Sequence, residues 1–318
     1  MKGARVVALS GGIGGAKLAL GLYRVLPPHS LAVIVNTGDD FEHLGLTICP
    51  DIDTTLYTLA GLANPELGWG RRDETWSFME TLAVLGGPTW FRLGDRDLAL
   101  HVERTQRLKT GEALSGIVED LARRLGIAAV VLPVTDDPVR TQVHTPAGTL
   151  AFQDYFVRLR CEPALRSLSF AGAARAKLCA PARAALGAQA LEAILLCPSN
   201  PYLSVDPMLA VPGLREAVRA AGVPVVAVSP IVAGRAIKGP TAKIMRELGL
   251  EPTPATIARH YEGLIDGLVV DRADAALVAD LPCSACLTDT VMVTPADRER
   301  LAREALTFAA TLRRRARA

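Results

Sequence analysis

The 318-residue sequence predicts an α/β fold, with a doubly wound and mainly parallel sheet covered by helices on both faces. Three observations predict it. Short, continuously apolar runs alternate along the chain with amphipathic helical patterns, as strands buried on both faces require. Hydrophobic residues make up 50% of the chain, enough for a large two-sided core. Near the start, an apolar strand runs into a glycine-rich turn and then a helix, an arrangement that holds phosphate groups.

Residues 6–9 form the first apolar run and lead into Ser10-Gly11-Gly12-Ile13-Gly14-Gly15-Ala16-Lys17. A helix over 16–26 follows, with Leu18, Leu22, Val25 and Leu26 on one face, and residues 31–35 read as the next buried strand. Residues 111–125 repeat the pattern with Leu114, Ile117, Leu121 and Leu125, and Gly126 stops them before a strand over 127–134. Further strands are read at 191–197 and 223–228, separated by a helix over 213–221 that ends at Gly222. The last helix opens at Thr294-Pro295, a cap residue followed by a proline suited to a first turn. It lays Leu301, Ala305, Phe308 and Leu312 on its buried side.

Two segments interrupt the alternation. Residues 54–110 are Trp-bearing and mostly helical in pattern. Residues 139–158 read as a β-hairpin, with Val139-Arg140-Thr141-Gln142-Val143-His144 turning back at Pro146-Ala147-Gly148. Both are read as insertions into a single α/β domain over 1–318, since no repeat, low-complexity tract or separating linker is visible.

Lys and Arg (35) nearly balance Asp and Glu (33), for a net charge of +2, which argues against a nucleic-acid binder relying on a basic face. The Arg313-Arg314-Arg315 tail reads as a solvated helix end. No apolar run approaches the roughly 18 residues that span a bilayer, so no membrane partner is expected. The N-terminus reads as a core strand in place of a cleavable signal, and a cytoplasmic protein is expected. Six cysteines over this length do not form a disulfide framework, and Cys197 lies in an apolar strand context. Cys283-Ser284-Ala285-Cys286 has metal or redox spacing, but a zinc site wants four ligands and no second pair accompanies it.

The glycine turn allows backbone N–H groups to approach an anion, and the helix N-terminus adds partial positive charge. It matches neither common template. Lys17 lacks the following Ser or Thr of the ATPase P-loop, and the glycine spacing departs from the dinucleotide fingerprint. The second strand also ends in Asn36-Thr37-Gly38-Asp39-Asp40 in place of one ribose-binding acid. A variant phosphate loop for a nucleotide or phosphoester is the resulting reading, although a single such loop also serves as plain packing punctuation.

In a parallel sheet the loops leaving the carboxyl ends of the strands share one edge, where ligands bind. Four such loops are polar and marked by glycine or proline: 10–17, 36–40, Pro198-Ser199-Asn200-Pro201, and 229–234 from Ser229. Asp39 and Asp40 lie on this edge, and Cys49-Pro50-Asp51-Ile52-Asp53-Thr54-Thr55 brings two more acids just before a helix. Such carboxylates suit magnesium together with substrate phosphate, or the handling of an attacking hydroxyl. Taken singly, Asp53 reads equally as a helix N-cap and Asp39-Asp40 as a turn pair. In Trp90-Phe91-Arg92-Leu93-Gly94-Asp95-Arg96-Asp97, aromatic surface beside guanidinium groups suits a planar heterocycle or a phosphorylated ligand, while surface ion pairing is the plainer alternative. His101 reads as structural, and Lys238 is placed to reach a phosphate.

Taken together, Gly11 to Leu18, Asn36-Thr37-Gly38-Asp39-Asp40, Pro50-Asp51-Ile52-Asp53-Thr54, Gly94-Asp95-Arg96-Asp97, Ser199-Asn200-Pro201 and Val228-Ser229-Pro230-Ile231 resemble the 2-phospho-L-lactate transferase family of coenzyme F420 biosynthesis. The resemblance runs in order to about residue 290. It implies a Rossmann-like fold, a homodimer, and a magnesium-dependent transferase. That transferase moves a phosphorylated three-carbon acid, phospholactyl or phosphoenolpyruvyl, from its guanosine diphosphate ester to the deazaflavin Fo, releasing GMP. Carried over, the family pattern sets Fo against Asp53 and Arg96, and the aromatic surface of Trp90 makes it a further substrate contact. Gly11, Gly12, Gly14, Gly15, Ser199 and Asn200 then hold the guanosine diphosphate half, with Lys17, Ser229 and Lys238 as further contacts. Asp53 and Asp51 are the catalytic candidates, and Asp39, Asp40 and Asp51 the magnesium candidates. A related family of sugar-nucleotide-binding regulatory proteins, implicated in gluconeogenesis, shares a similar glycine loop and is the alternative.

Overall fold

A computed structural model describes residues 4–66 and 68–315. Of the expected basic tail, the side chains of Arg314 and Arg315 lie outside the described residues. The N-terminal half contains β1 (Val6–Ser10), α1 (Gly12–Val25), β2 (Leu31–Val35), β3 (Phe41–His43), β4 (Leu46–Ile48), α2 (Pro50–Leu59), α3 (Ser77–Val84), α4 (Asp95–Lys109), α5 (Leu114–Arg124) and β5 (Val130–Pro133). There follow β6 (Arg140–Thr145), β7 (Gly148–Ala151), β8 (Ser167–Ala171), α6 (Ala180–Leu186), β9 (Ala193–Leu196), α7 (Asp206–Leu209), α8 (Leu214–Ala220) and β10 (Val225–Val228). The chain ends with β11 (Ile231–Val232), β12 (Arg235–Ala236), α9 (Thr241–Glu247), α10 (Pro254–His260), β13 (Gly267–Asp271), β14 (Ser284–Thr288) and α11 (Pro295–Arg315).

Seven strands form one parallel sheet in the order β5-β2-β1-β9-β10-β13-β14. The chain winds outward from β1 through β2 to β5, then returns to the other side of β1 at β9. This is the Rossmann-like arrangement, and the reversal between β1 and β9 creates the crevice where such sheets bind ligands. Successive residues of each strand enter opposite cores. Val7, Leu9, Ile34, Ile194 and Leu268 join one apolar cluster with helices α6 and α8 to α10, while Val6, Ala8, Val33, Leu195 and Val269 join the other with α1, α2, α5 and α11. Such burial on both faces explains the unbroken apolar runs.

Cys283 and Cys286 are sorted by the same alternation, one packing against each core, so they face opposite sides of the sheet and cannot share a metal ion or a disulfide. At Gly21 a Cβ would lie 2.1 Å from the Arg298 carbonyl, and its absence lets α11 close directly on α1. Thr294 caps α11 as expected, its Oγ1 accepting the Asp297 N–H at 3.2 Å while Asp297 Oδ2 accepts the Thr294 N–H at 2.7 Å.

Several boundaries differ from the sequence reading. The first helix begins at Gly12, not at residue 16, so the glycines form its first turn instead of a separate loop. Asp51 and Asp53, expected just before a helix, lie inside the first turn of α2, whose Pro50 fits the first position. The helical segment expected from residue 54 therefore opens within α2, which packs on the sheet through Ile52 and Leu56. The hairpin of β6 and β7 gains a third antiparallel strand, β8, that pairs with β6.

One buried ion pair ties these layers. Arg104 of α4 is fully buried and donates to Asp53 Oδ1 at 2.5 Å, to Asp53 Oδ2 at 3.0 Å and to the Thr47 carbonyl at 3.0 Å. Each charge satisfies the other in a bidentate contact, and removing one partner leaves a buried charge without compensation. Arg104→Met is accordingly expected to destabilise the fold by about 3–5 kcal/mol, read as a lower denaturant midpoint. A midpoint equal to the wild type would contradict this account of α4 docking.

Candidate functional site

A cleft of about 480 Å³ opens at the carboxyl edge of the sheet, over the crevice between β1 and β9. Its floor is the first turn of α1, seated where no side chain would fit. A Cβ on Gly11 would lie 2.6 Å from Ser204 Cβ, one on Gly14 2.6 Å from the Pro198 carbonyl oxygen, and one on Gly15 2.6 Å from Ser199 Oγ. Gly12 adopts φ +66°, a conformation that L side chains rarely take. The close seating lets Gly11 N–H donate to Ser199 Oγ at 2.9 Å and Gly12 N–H to Asp51 Oδ1 at 2.6 Å. Ile13 and Gly14 follow in the first turn, where N–H groups have no partner four residues back in the helix.

Asp51 links this turn to the loop after β2. Its Oδ2 accepts from Asn36 Nδ2 at 3.0 Å, and the same amide nitrogen reaches Asp39 Oδ1 at 3.3 Å. Asn36 Oδ1 accepts the Gly38 N–H at 2.8 Å, which fixes which end of the amide faces the acids. Burial, followed by the Asp51 and Asp40 charges, pushes the Asp39 carboxyl well above the usual range. Burial raises Asp51 to about 6 against the opposing hydrogen bonds from Asn36 and Gly12. Asp40 is raised to about 7, again mainly by burial. Buried acids beside N–H donors are the result.

The cleft brings together Gly11, Gly12, Gly14, Lys17, Asp39 and Asp51 with Trp90, Ser199, Asn200, Ser229 and Lys238. Asn200 Oδ1 accepts from the backbone N–H groups of Tyr202 and Leu203, and its Nδ2 is left buried without a partner. Lys17 donates to the Met292 carbonyl at 2.9 Å, and its pKa is lowered by burial and then by the Arg298 and Lys238 charges. Lys17 and Lys238 thus bring positive charge to the cleft that Asp39 and Asp51 also line.

Four expected residues lie outside the lining. Gly15 is packed beneath the first turn, against Ser10 and Ser199. Asp40 is buried behind the pocket wall. Asp53 turns away from the cleft to Arg104, and Arg96 is exposed at the start of α4, where its backbone N–H donates to Glu74 Oε2 at 2.8 Å. Arg92, four residues earlier, does line the cleft, and its guanidinium stacks on the Trp76 ring with Cζ 3.9 Å from the centroid. Its signal lay in the same Trp90 to Asp97 run, but the choice between positions 92 and 96 depends on where α4 starts. Phe152, Gln153, Phe156, Ser204 and Thr290 also line the cleft and carried no sequence motif.

Ligand atoms of Asp53, Asp97 and His101 lie within 4.8 Å of one another, a spacing that would suit a metal. Arg104 already occupies that cluster, and Tyr57 donates to Asp97. His101, 1% exposed, is a structural member of the network. Asp39 and Asp51 line the cleft, and among the described residues no ion pair to either is found.

Residues 6–308 match the family model described as 2-phospho-L-lactate transferase CofD. A phosphoenolpyruvate transferase of Streptomyces griseus is 43% identical over 97% of this chain and 99% of its own. One of Streptomyces coelicolor is 44% identical over the same shares, and one of Mycobacterium tuberculosis 40% identical over 86% of this chain and 89% of its own. Among solved structures, a UPF0052 family protein of Bacillus halodurans superposes with a TM-score of 0.61 at 15% identity, covering 95% of this chain and 99% of that one, a likeness of fold. No helix among the described residues is long and apolar enough to cross a membrane. With the glycine turn, the paired acids and the Ser199-Asn200 loop meeting in one cleft, the chain belongs to the 2-phospho-L-lactate transferase CofD family.

Proposed function

We propose that the protein transfers a phosphorylated three-carbon acid from its guanosine diphosphate ester to the ribityl 5'-hydroxyl of the deazaflavin Fo, releasing GMP, in coenzyme F420 biosynthesis. The observation that carries this reading is the cleft whose lining combines first-turn N–H groups, Lys17 and Lys238 with the buried acids Asp39 and Asp51. The name phosphoenolpyruvate transferase, borne by the Streptomyces and mycobacterial relatives, favours an enolpyruvyl group over a lactyl one.

In the proposed step the acceptor hydroxyl oxygen bonds to the phosphorus that carries the acid. The bridging P–O bond to GMP breaks, the hydroxyl loses its proton toward the carboxylate pair, and GMP leaves with the bridging oxygen. Such a transfer needs alignment and charge neutralisation more than a covalent enzyme nucleophile. First-turn N–H groups, Lys17 and Lys238 stabilise the phosphoryl oxygens. Asn200 Nδ2, a buried donor without a partner, is aimed by its two backbone contacts and supplies a further hydrogen bond to the donor. Asp53 acts from behind the wall, holding α2 so that Asp51 faces the cleft.

The acid pair fits magnesium. Asp39 and Asp51 offer hard oxygen ligands, and burial, which raises both pKa values by disfavouring the charged carboxylates, is relieved by a cation bound beside them. When bound there, the ion supplies Lewis-acid neutralisation of the diphosphate. Asp40 is outside the cleft lining, and its charge raises the Asp39 pKa further.

Two outcomes are expected. Purified protein supplied with Fo, magnesium, GTP, phosphoenolpyruvate and a guanylyltransferase yields a deazaflavin phosphodiester by mass. Tight binding of a uridine diphosphate sugar with no transfer to Fo would overturn the reading in favour of the regulatory relatives. Secondly, an acid whose folded pKa is raised stabilises the fold below its ordinary pKa, near 3.8 for Asp39, and loses that contribution as pH rises. Asp39→Asn is therefore expected to raise the thermal midpoint of the metal-free protein at pH 7.5, with the gain vanishing toward pH 4, while lowering transfer about 100-fold or more. A lower midpoint at pH 7.5 would remove the uncompensated charge from the account.

A further inference from the structure

The segment leaving the β6–β7 hairpin forms part of the cleft wall. Phe152 and Phe156 both line the cleft, four residues apart on a helical stretch that passes into the π-helical turn Asp154–Arg158. Their rings stack with centroids 5.2 Å apart and planes 16° from parallel. Phe152 packs inward against the core under the hairpin, while Phe156 is 37% exposed. Gln153, buried between them in sequence, donates its Nε2 to the Asp39 carbonyl at 3.0 Å, so the stack is tied to the loop that carries the cleft acid. Two residues beyond Phe156, the Arg158 guanidinium lies over the Trp90 ring at 6.0 Å, bringing this segment to the aromatic wall of Trp90 and Phe91.

An aromatic ring left open at the edge of a stack gains when a flat apolar surface covers it. Neither a diphosphate nor a three-carbon acid has such a face, whereas the fused tricyclic acceptor and the donor's guanine both do; the tricycle is the larger surface, and GDP binding tells the two apart. We propose that Phe156, backed by Phe152, is the stacking face that selects a planar aromatic acceptor. This assignment rests on the transferase reading for the identity of that acceptor. Substituting the ring by an apolar side chain of similar size then removes acceptor affinity and leaves the nucleotide end of the cleft untouched.

The test measures Fo binding to the full-length protein by fluorescence without donor, and GDP binding by calorimetry. The proteins compared are the wild type, Phe156→Leu and Phe156→Trp. Phe156→Leu is expected to weaken Fo binding about tenfold, Phe156→Trp to retain it, and GDP affinity to stay within about twofold in both, in line with the worth of one stacking contact. Unchanged Fo binding in Phe156→Leu overturns the proposal, as does a parallel loss of GDP binding or a wild type that does not bind Fo. Fo binding that depends on Phe156 without any transfer to Fo would leave the stacking face standing and remove the transferase reading. Transfer by the wild type with unchanged Fo binding in Phe156→Leu would do the reverse.

Discussion

The arrangement of this protein depends on how closely the first turn of α1 lies against the start of α2 and the segment that follows β9. At Gly11, Gly14 and Gly15 an added Cβ would come within 2.6 Å of a neighbouring atom, so the turn reaches its seat only because those side chains are absent. Everything chemical at the sheet edge follows from that seat. It lets Gly11 and Gly12 engage Ser199 and Asp51 directly, and it points the helix N-terminus into the crevice between β1 and β9.

The acids divide by how their charge is managed. Asp53 is compensated in full by Arg104, and this pair braces α2 against α4. Asp39 and Asp51 have only amide and backbone donors, and burial raises both pKa values. A protein that compensates one carboxylate so completely, and leaves two beside it uncompensated at a cleft, has placed its unspent negative charge where a cation and a diphosphate would meet it. The residues nearest in sequence thus have opposite tasks: Asp53 holds, and Asp51 faces the ligand.

Much of this was legible in the chain. Unbroken apolar runs identified the strands because both faces of the sheet are buried, and the polar ends of those strands pointed to one edge. What the chain could not show were pairings made in three dimensions. Arg104 lies 51 residues from Asp53, and nothing local to either marks the contact. Arg92 and Arg96 differ by four positions, yet the start of α4 at Asp95 turns one outward and leaves the other on the cleft. Phe152 and Phe156 sit in a partly exposed helical turn without a periodic pattern, and β8 is an edge strand with half-exposed residues.

The central claim is that the glycine turn of α1 grips the diphosphate of the donor. Calorimetric titration of GDP with magnesium into wild type and Gly14→Ala, each checked for native circular dichroism, tests it most directly. The account predicts measurable binding by the wild type and at least a tenfold loss in the variant, whose new methyl group meets the Pro198 carbonyl. Equal affinity in two equally folded proteins would contradict it.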